Sequence, residues 1–164
     1  MERIPVEAGA YYEVNQQMKA MPLADVKMVN NRRRSMLKVI TPVPIVAGET
    51  LVQLEGEASK NVFKEDRPEF FIRLGAEERF GILKLTPGKN FRLVEKLEKI
   101  PVAEEIMEKQ EEVEIFRQQM DDLLYKIWPT KPLEPGQYAV VEFTAGKGTI
   151  QVWDFVFRDS HHPR

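Results

Sequence analysis

The sequence contains no cysteine among its 164 residues, and it has only two histidines. The missing thiols exclude disulfide bonds, thiolate nucleophiles, zinc fingers and iron–sulfur clusters. His161 and His162 lie in the polar ending DSHHPR. A chain terminus is a poor place for the rigidly held base of a Ser–His nucleophile pair. We therefore expect no cysteine- or histidine-based catalytic site and no cofactor.

Long apolar runs and a large net charge are also missing. No segment approaches the roughly 20 apolar residues of a membrane-spanning helix, so we expect no membrane insertion. The formal net charge is −2, which gives no general attraction to nucleic acid. The start, MERIPVEAG, lacks the apolar core of a secretion signal. Either the protein stays in the cytoplasm or a leader has been removed, and the sequence alone leaves both open.

Short β-prone segments between turn signals make up most of the chain. Residues 50–57 (TLVQLEGE) alternate between apolar and polar side chains, which is typical of a half-buried strand. Residues 68–74 (PEFFIRL), 80–85 and 91–97 continue the series, with TPGKN as the turn between the last two. Turn signals recur about every 8 to 12 residues, as in sandwiches and barrels. We predict a mainly β protein, an antiparallel β-sandwich of Ig-like or jelly-roll-like type.

The last predicted strand, residues 149–157 (TIQVWDFVF), is apolar on both faces. Such a strand lies in the centre of a sheet, or it is covered on its outer side by a helix or another subunit. One face carries Ile150, Val152 and Val156, and the other carries Trp153, Phe155 and Phe157.

The segment 101–129 is ambiguous. We predict one short helix near 102–110, because Pro101 suits a helix start and Glu, Lys, Met and Gln favour helices. In 111–128 the apolar residues fit one helical face, yet they also alternate on either side of Asp121 and Asp122 as in a strand pair. We favour the strand pair slightly and leave the continued helix open.

Three regions follow from these patterns. Residues 1–21 are predicted to form an N-terminal arm, in which GAYYEV is β-prone but isolated. Residues 22–158 are predicted to form a single β-sandwich domain. Residues 159–164 are a polar tail prone to disorder.

Two groups of side chains are candidates for contact with a ligand or partner. Arg32, Arg33 and Arg34 form a basic cluster that could hold an anion or an acidic partner, although a solvated turn is the ordinary interpretation. The aromatic residues could stack on a sugar or a peptide, although burial in the core or an interface is more common. They are Tyr11, Tyr12, Trp128 and Trp153.

Two segments carry a resemblance to known proteins: EGEASKNVF at 55–63 and PLEPGQYAVVEF at 132–143. With the order of β-prone segments between 9 and 157, they resemble a group of uncharacterised bacterial proteins, found notably in acidobacteria, that share a PLxPGxYA element. The resemblance implies a β-sandwich, an exported protein of the periplasm or extracellular space, and a strand pair at 113–128. It implies no catalytic residue.

The leading hypothesis for function is a non-enzymatic β-sandwich module of the bacterial cell envelope that works by binding or assembly. We expect a protein partner or self-assembly, and a glycan is a further ligand class. The alternative is a structural subunit of a larger complex or filament, docked through residues 1–21 and the helix near Ile106. A carboxylate-based hydrolase ranks third, since the sequence offers no nucleophile–base set, and the 26 acidic residues make any single acid–base pair impossible to select.

Overall fold

A computed structural model describes the chain at residues 4–30, 34–37, 48–100, 105–144 and 149–159. Within these ranges all regular structure is β, with sixteen strands and no helix. The first eight strands are β1 Gly9–Val14, β2 Gln17–Ala20, β3 Val26–Asn30, β4 Arg34–Leu37, β5 Gly48–Glu55, β6 Val62–Phe63, β7 Phe70–Arg73 and β8 Arg79–Lys84. The other eight are β9 Thr86–Pro87, β10 Phe91–Ile100, β11 Glu105–Lys109, β12 Glu111–Val113, β13 Ile115–Asp121, β14 Leu124–Pro129, β15 Gly136–Thr144 and β16 Thr149–Phe157.

The strands form three sheets. Sheet 1 has the order β13-β14-β7-β1-β2. Sheet 2 has the order β11-β10-β5-β3-β4, and β9 also pairs with β10. Sheet 3 has the order β12-β8-β15-β16-β6. The strand pairs are antiparallel except β16 with β6, which is parallel. The predicted fold class, a mainly β antiparallel sandwich, is confirmed.

Sheet 3 is the middle layer, with a hydrophobic core on each of its faces. Along β15, Tyr138 and Val140 pack with sheet 1, whereas Ala139 and Val141 pack with sheet 2. The residues of β8 and β16 divide between the two cores in the same alternating way. This explains why the last strand is apolar on both faces, since sheets 1 and 2 cover it from opposite sides.

The predicted helix near 102–110 is wrong where the structure describes it. Residues 105–109 form strand β11, which pairs with β10 from Ile100 opposite Glu105 to Lys96 opposite Lys109. The free edge of the long strand β10 supplies hydrogen-bond partners that the local helix propensity of these residues does not outweigh. Residues 101–104 lie outside the described ranges.

The strand pair favoured for 111–128 is confirmed in its main part. Strand β13 pairs with β14 from Ile115 opposite Pro129 to Asp121 opposite Leu124. The turn between them uses Leu123 at φ 58°. Residues 111–113 form a separate strand, β12, which pairs with β8 in sheet 3. The chain therefore crosses from sheet 3 to sheet 1 between β12 and β13.

The N-terminal residues require a correction. GAYYEV is not isolated: β1 pairs with both β2 and β7 in sheet 1. Ala10 and Met21, which are 1% and 5% exposed, lie in the core between sheets 1 and 3. The hairpin at 9–20 is therefore part of the sandwich and not a separate arm, because its inward side chains complete the core between sheets 1 and 3. We call this core the first core. Of the predicted tail, residues 160–164 lie outside the described ranges.

Candidate functional site

The face of sheet 1 that points away from the core carries a row of aromatic and polar side chains. Cross-strand partners in antiparallel sheets point to the same side. The register places Tyr11 opposite Phe71, Phe71 opposite Lys126, and Lys126 opposite Gln118. Because the neighbour Ile72 is fully buried in the first core, this row faces outward. It crosses four adjacent strands.

An aromatic pair lies beside this row. Phe116 on β13 and Trp128 on β14 are register partners, with ring centroids 5.6 Å apart and planes tilted by 41°. Phe116 is 50% exposed, and Trp128 is partly buried. We call the outward surface formed by Tyr11, Phe71, Phe116, Lys126 and Trp128 the aromatic face.

Lys126 is the charged centre of the aromatic face. Its Nζ lies 5.6 Å from the Trp128 ring and 5.9 Å from the Phe71 ring. The same atom lies 3.2 Å from Oε1 of Glu69. The ammonium group therefore interacts with two aromatic rings and one carboxylate. This arrangement holds the aliphatic part of the lysine side chain over the rings. Phe71 beneath it is buried, although it points outward.

The local sequence explains why these side chains share a face. In LYKIWP of β14, Lys126 and Trp128 alternate with Tyr125 and Ile127, and the latter two pack in the first core. Because side chains alternate along a strand, Lys126 and Trp128 point to the outer side of the sheet. The exposed part of this face, above all the ring of Phe116, can bury apolar or ring-shaped groups of a partner, at about 1.5–3 kcal/mol for a fully buried side chain.

The four aromatic residues selected from the sequence occupy different environments. Tyr11 and Trp128 belong to the aromatic face. Tyr12 points into the sandwich, with its ring centroid 5.2 Å from that of Phe63. Trp153 is only 4% exposed in the first core. The structure thus brings two of the four together and adds Phe71 and Phe116.

Tyr11 is held in place through its hydroxyl group, which donates a hydrogen bond of 2.6 Å to the carbonyl oxygen of Glu7. Burial raises the pKa of the Tyr11 phenol above its usual value, and the charge of Glu7 adds to this while Arg73 opposes it. The ring is therefore fixed as a neutral, hydrogen-bonded wall of the face.

Phe116 could have been identified from the sequence as an outward residue, because it is out of phase with Ile115 and Val113.

The basic cluster at 32–34 lies almost entirely outside the described residues. Arg34 begins β4, where its backbone is paired with Val29 of β3. Nothing in the described chain bears on Arg32 and Arg33. Contact of these arginines with an anion or a partner stays a prediction.

A groove of about 630 Å³ opens at one end of the space between sheets 1 and 3. It lies between the β1–β2 hairpin and the short strand β6, and the rings of Tyr12 and Phe63 line it. Its charged side chains are of both signs, which favours no single charge of ligand. They are Glu13, Lys60, Lys64, Glu65 and Glu69.

Two carboxyl groups have pKa values shifted toward neutrality. Burial raises the pKa of Glu95 to about 8, with Glu108 adding to the rise and Arg79 opposing it. Burial raises the pKa of Glu142 to about 7, and Glu78 contributes. Both pKa values are raised because a carboxylate that is taken out of water, near another negative charge, favours its protonated form.

These two carboxyl groups lie on opposite sides of sheet 3. Glu95 pairs with Val52, which faces the core between sheets 2 and 3. Glu142 pairs with Phe80, which faces the core between sheets 1 and 3. A general acid and base must reach one substrate from within hydrogen-bond distance, so these two do not form such a pair.

Comparison of the chain with protein-family models, curated proteins and solved structures gave no match. The resemblance to exported bacterial β-sandwich proteins therefore stays a hypothesis. In the part of the chain that the structure describes, no group of three or more His, Cys, Asp or Glu residues is arranged to hold a metal ion. No helix in those same ranges has the length and apolar character needed to cross a membrane.

Proposed function

We propose that this protein is a non-enzymatic binding or assembly module and that the aromatic face is its recognition surface. The exposure of Phe116, at 50% of its surface beside Trp128, supports the proposal most directly. The exposed half of that ring adds nothing to the packing of the sandwich. A partner that covered it would remove apolar surface from water, and aromatic anchors of this type dominate the energies of many interfaces.

The chemistry of the face favours a protein partner over a glycan. The planes of Phe116 and Trp128 are tilted by 41°, so the two rings do not form a flat platform for stacked sugar units. Met120, 46% exposed, lies on the same strand as Phe116. Exposed thioethers and exposed aromatic rings are both enriched on surfaces that bind protein.

The non-enzymatic part of the proposal draws on the sequence and on the carboxyl groups. The chain has no cysteine, and its histidines stand at 161 and 162. Glu95 and Glu142, whose pKa values suit acid–base chemistry, face different cores. A carboxylate-based hydrolase is thus the less favoured alternative. Location in the bacterial cell envelope is proposed on the resemblance alone.

A structural subunit of a larger assembly is the second candidate. The sequence predicted docking through an N-terminal arm and a helix near Ile106, but residues 9–20 belong to sheet 1 and residues 105–109 form strand β11. Within the part of the chain that the structure describes, strand β13 stands at the end of sheet 1 with its outer edge unpaired, and this edge favours the structural-subunit candidate. Edge strands offer unpaired backbone groups to a neighbouring chain.

Affinity capture from native cell extract tests the proposal, with the wild-type chain compared with the double variant Phe116→Ser/Trp128→Ala. We expect the double variant to lose partners that the wild type retains. Met107→Ser is the matched control, because Met107 is 44% exposed on the edge strand β11, away from the aromatic face. Equal capture by all three proteins would contradict the role of the face. Binding to purified envelope polysaccharide that depends on Trp128 would identify a glycan as the ligand instead.

A further inference from the structure

We propose that strand β13 pairs with β13 of a second copy of this chain around a two-fold axis. The five-stranded sheet 1 of each copy then joins its counterpart in one continuous sheet. This inference rests on the proposed function, because it names a partner for one end of the aromatic face.

The edge of β13 is open in the described chain. The strand stands at the end of sheet 1 and, among the described residues, it pairs only with β14. It runs for seven residues, from Ile115 to Asp121. A strand of this length presents a row of backbone N–H and C=O groups that a second strand can pair with.

The pairing with β14 determines which backbone groups face this edge. The amide of Thr130 donates to the carbonyl oxygen of Glu114 at 3.0 Å, so these two residues form a hydrogen-bonded pair. In antiparallel ladders hydrogen-bonded pairs alternate with non-bonded ones. The backbone groups of Phe116 and Gln118 therefore point to β14 as well. Those directed toward the open edge belong to Ile115, Arg117 and Gln119.

A two-fold axis beside Gln118 satisfies the edge-facing groups of Arg117 and Gln119. It places Arg117 opposite the partner's Gln119 as a hydrogen-bonded pair, and Gln118 opposite the partner's Gln118 as a non-bonded pair. A shift of the register by one residue would turn the outward side chains of one copy toward the inner face of the other. The bulge between Gln119 and Asp121 limits the pairing to these central residues.

The same register is complementary in its side chains. Just beyond these central pairs, Phe116 comes near the partner's Met120, and this approach occurs twice because of the symmetry. Both side chains are large, apolar and about half exposed, at 50% and 46%, and thioethers pack favourably on aromatic rings. The amide of Gln118 is both donor and acceptor, so two copies can hydrogen-bond across the axis. No like charges stand opposite each other in the central pairs.

We expect the dimer to be weak, because one strand edge buries less area than a standard interface. Its formation should therefore depend on protein concentration. The rest of the aromatic face, around Trp128 and Lys126, would remain available on both sides of the axis.

A single introduced cysteine tests the register, because the chain contains no other. The Cα atoms of a non-bonded antiparallel pair are about 4.5 Å apart, which is within the range of a disulfide. We expect Gln118→Cys to form a covalent dimer rapidly under mild oxidation. Met107→Cys, on the edge strand β11, is the matched control. Crosslinking of the Gln118→Cys protein no faster than this control would overturn the proposal.

A charge exchange at the same position gives an independent test by sedimentation. Gln118→Lys and Gln118→Glu each place two like charges at the axis, so we expect each variant alone to dissociate at least tenfold more readily than the wild type. An equimolar mixture of the two should recover the dimer. A wild-type chain that is monomeric at all concentrations, or a dimer insensitive to these changes, would overturn the self-pairing. A monomeric protein in which Trp128→Ala still loses other partners would overturn the self-pairing and leave the proposed function in place.

Discussion

Arg92 on β10 and Asp154 on β16 form a buried ion pair that connects sheet 2 to sheet 3, with 2.7 Å between Nη1 and Oδ2. Their side chains are 5% and 14% exposed. The same guanidinium donates hydrogen bonds of 2.9 Å to the carbonyl oxygens of Glu55 and Gly56. One arginine therefore joins two sheets and the loop that follows β5.

Removal of one member of this pair should strongly destabilise the fold. Asp154→Ala leaves the guanidinium buried without its counter-charge, a change that costs about 3–5 kcal/mol in comparable sites. We expect a loss of this order in the free energy of unfolding measured with urea. The double variant Arg92→Met/Asp154→Leu should lose much less, because no unpaired charge remains. Equal losses for the single and double variants would contradict this account.

The buried carboxyl of Glu95 should make stability depend on pH. Its pKa in the folded protein is about 8, above the ordinary value of an unfolded chain, so the folded state binds more protons between those two values. Stability should fall as the pH rises through this window toward 8. Glu95→Gln should remove most of this fall, and its advantage over the wild type should be greatest at alkaline pH. The measurement is the free energy of unfolding at a series of pH values.

The carboxyl of Glu142 should lower stability over a narrower pH range than that of Glu95. Its folded pKa is about 7, so its contribution to the fall should be complete at lower pH than that of Glu95. Glu142→Gln should flatten the slope below neutrality and leave the slope near pH 8 unchanged. A pH profile that neither variant alters would contradict the burial of these carboxyl groups.

The two tryptophans should respond in opposite ways to replacement by alanine. Trp153 is 4% exposed in the first core, and its loss should cost about 3–5 kcal/mol of stability. Trp128 lies on the aromatic face, so Trp128→Ala should cost less stability and reduce partner binding. Thermal unfolding and affinity capture measure the two effects separately. A Trp128→Ala protein with normal binding would argue against the aromatic face.

Deletion of residues 1–20 should unfold the protein or lower its melting temperature strongly. A free arm could be removed without harm, but β1 supplies a strand to sheet 1 and Ala10 packs in the first core. Circular dichroism of the truncated chain measures this directly. Lys19→Ala, at an exposed position of β2, should change stability by no more than about 0.5 kcal/mol. A truncated chain as stable as the wild type would restore the interpretation as an arm.

Part of the candidate site was accessible from the sequence. The sequence marks Tyr11 and Trp128 as candidates, but it does not distinguish them from Tyr12 and Trp153, which point inward. Alternation shows which residues of one strand share a face. It does not show which of the two faces a distant strand will cover.

Local pattern by itself determined that this is a β protein without thiol chemistry, and that its last strand carries apolar side chains on both faces. These properties depend on composition and on neighbours two residues apart. Only the tertiary structure decided that 105–109 is a strand, that sheet 3 has a core on each face, and that Phe116 is left half exposed. Each of these depends on pairing or packing between segments far apart in the chain. The free energy of such contacts exceeds the free energy of local propensity. It depends on both of the segments that meet, so neither segment's sequence reveals it alone.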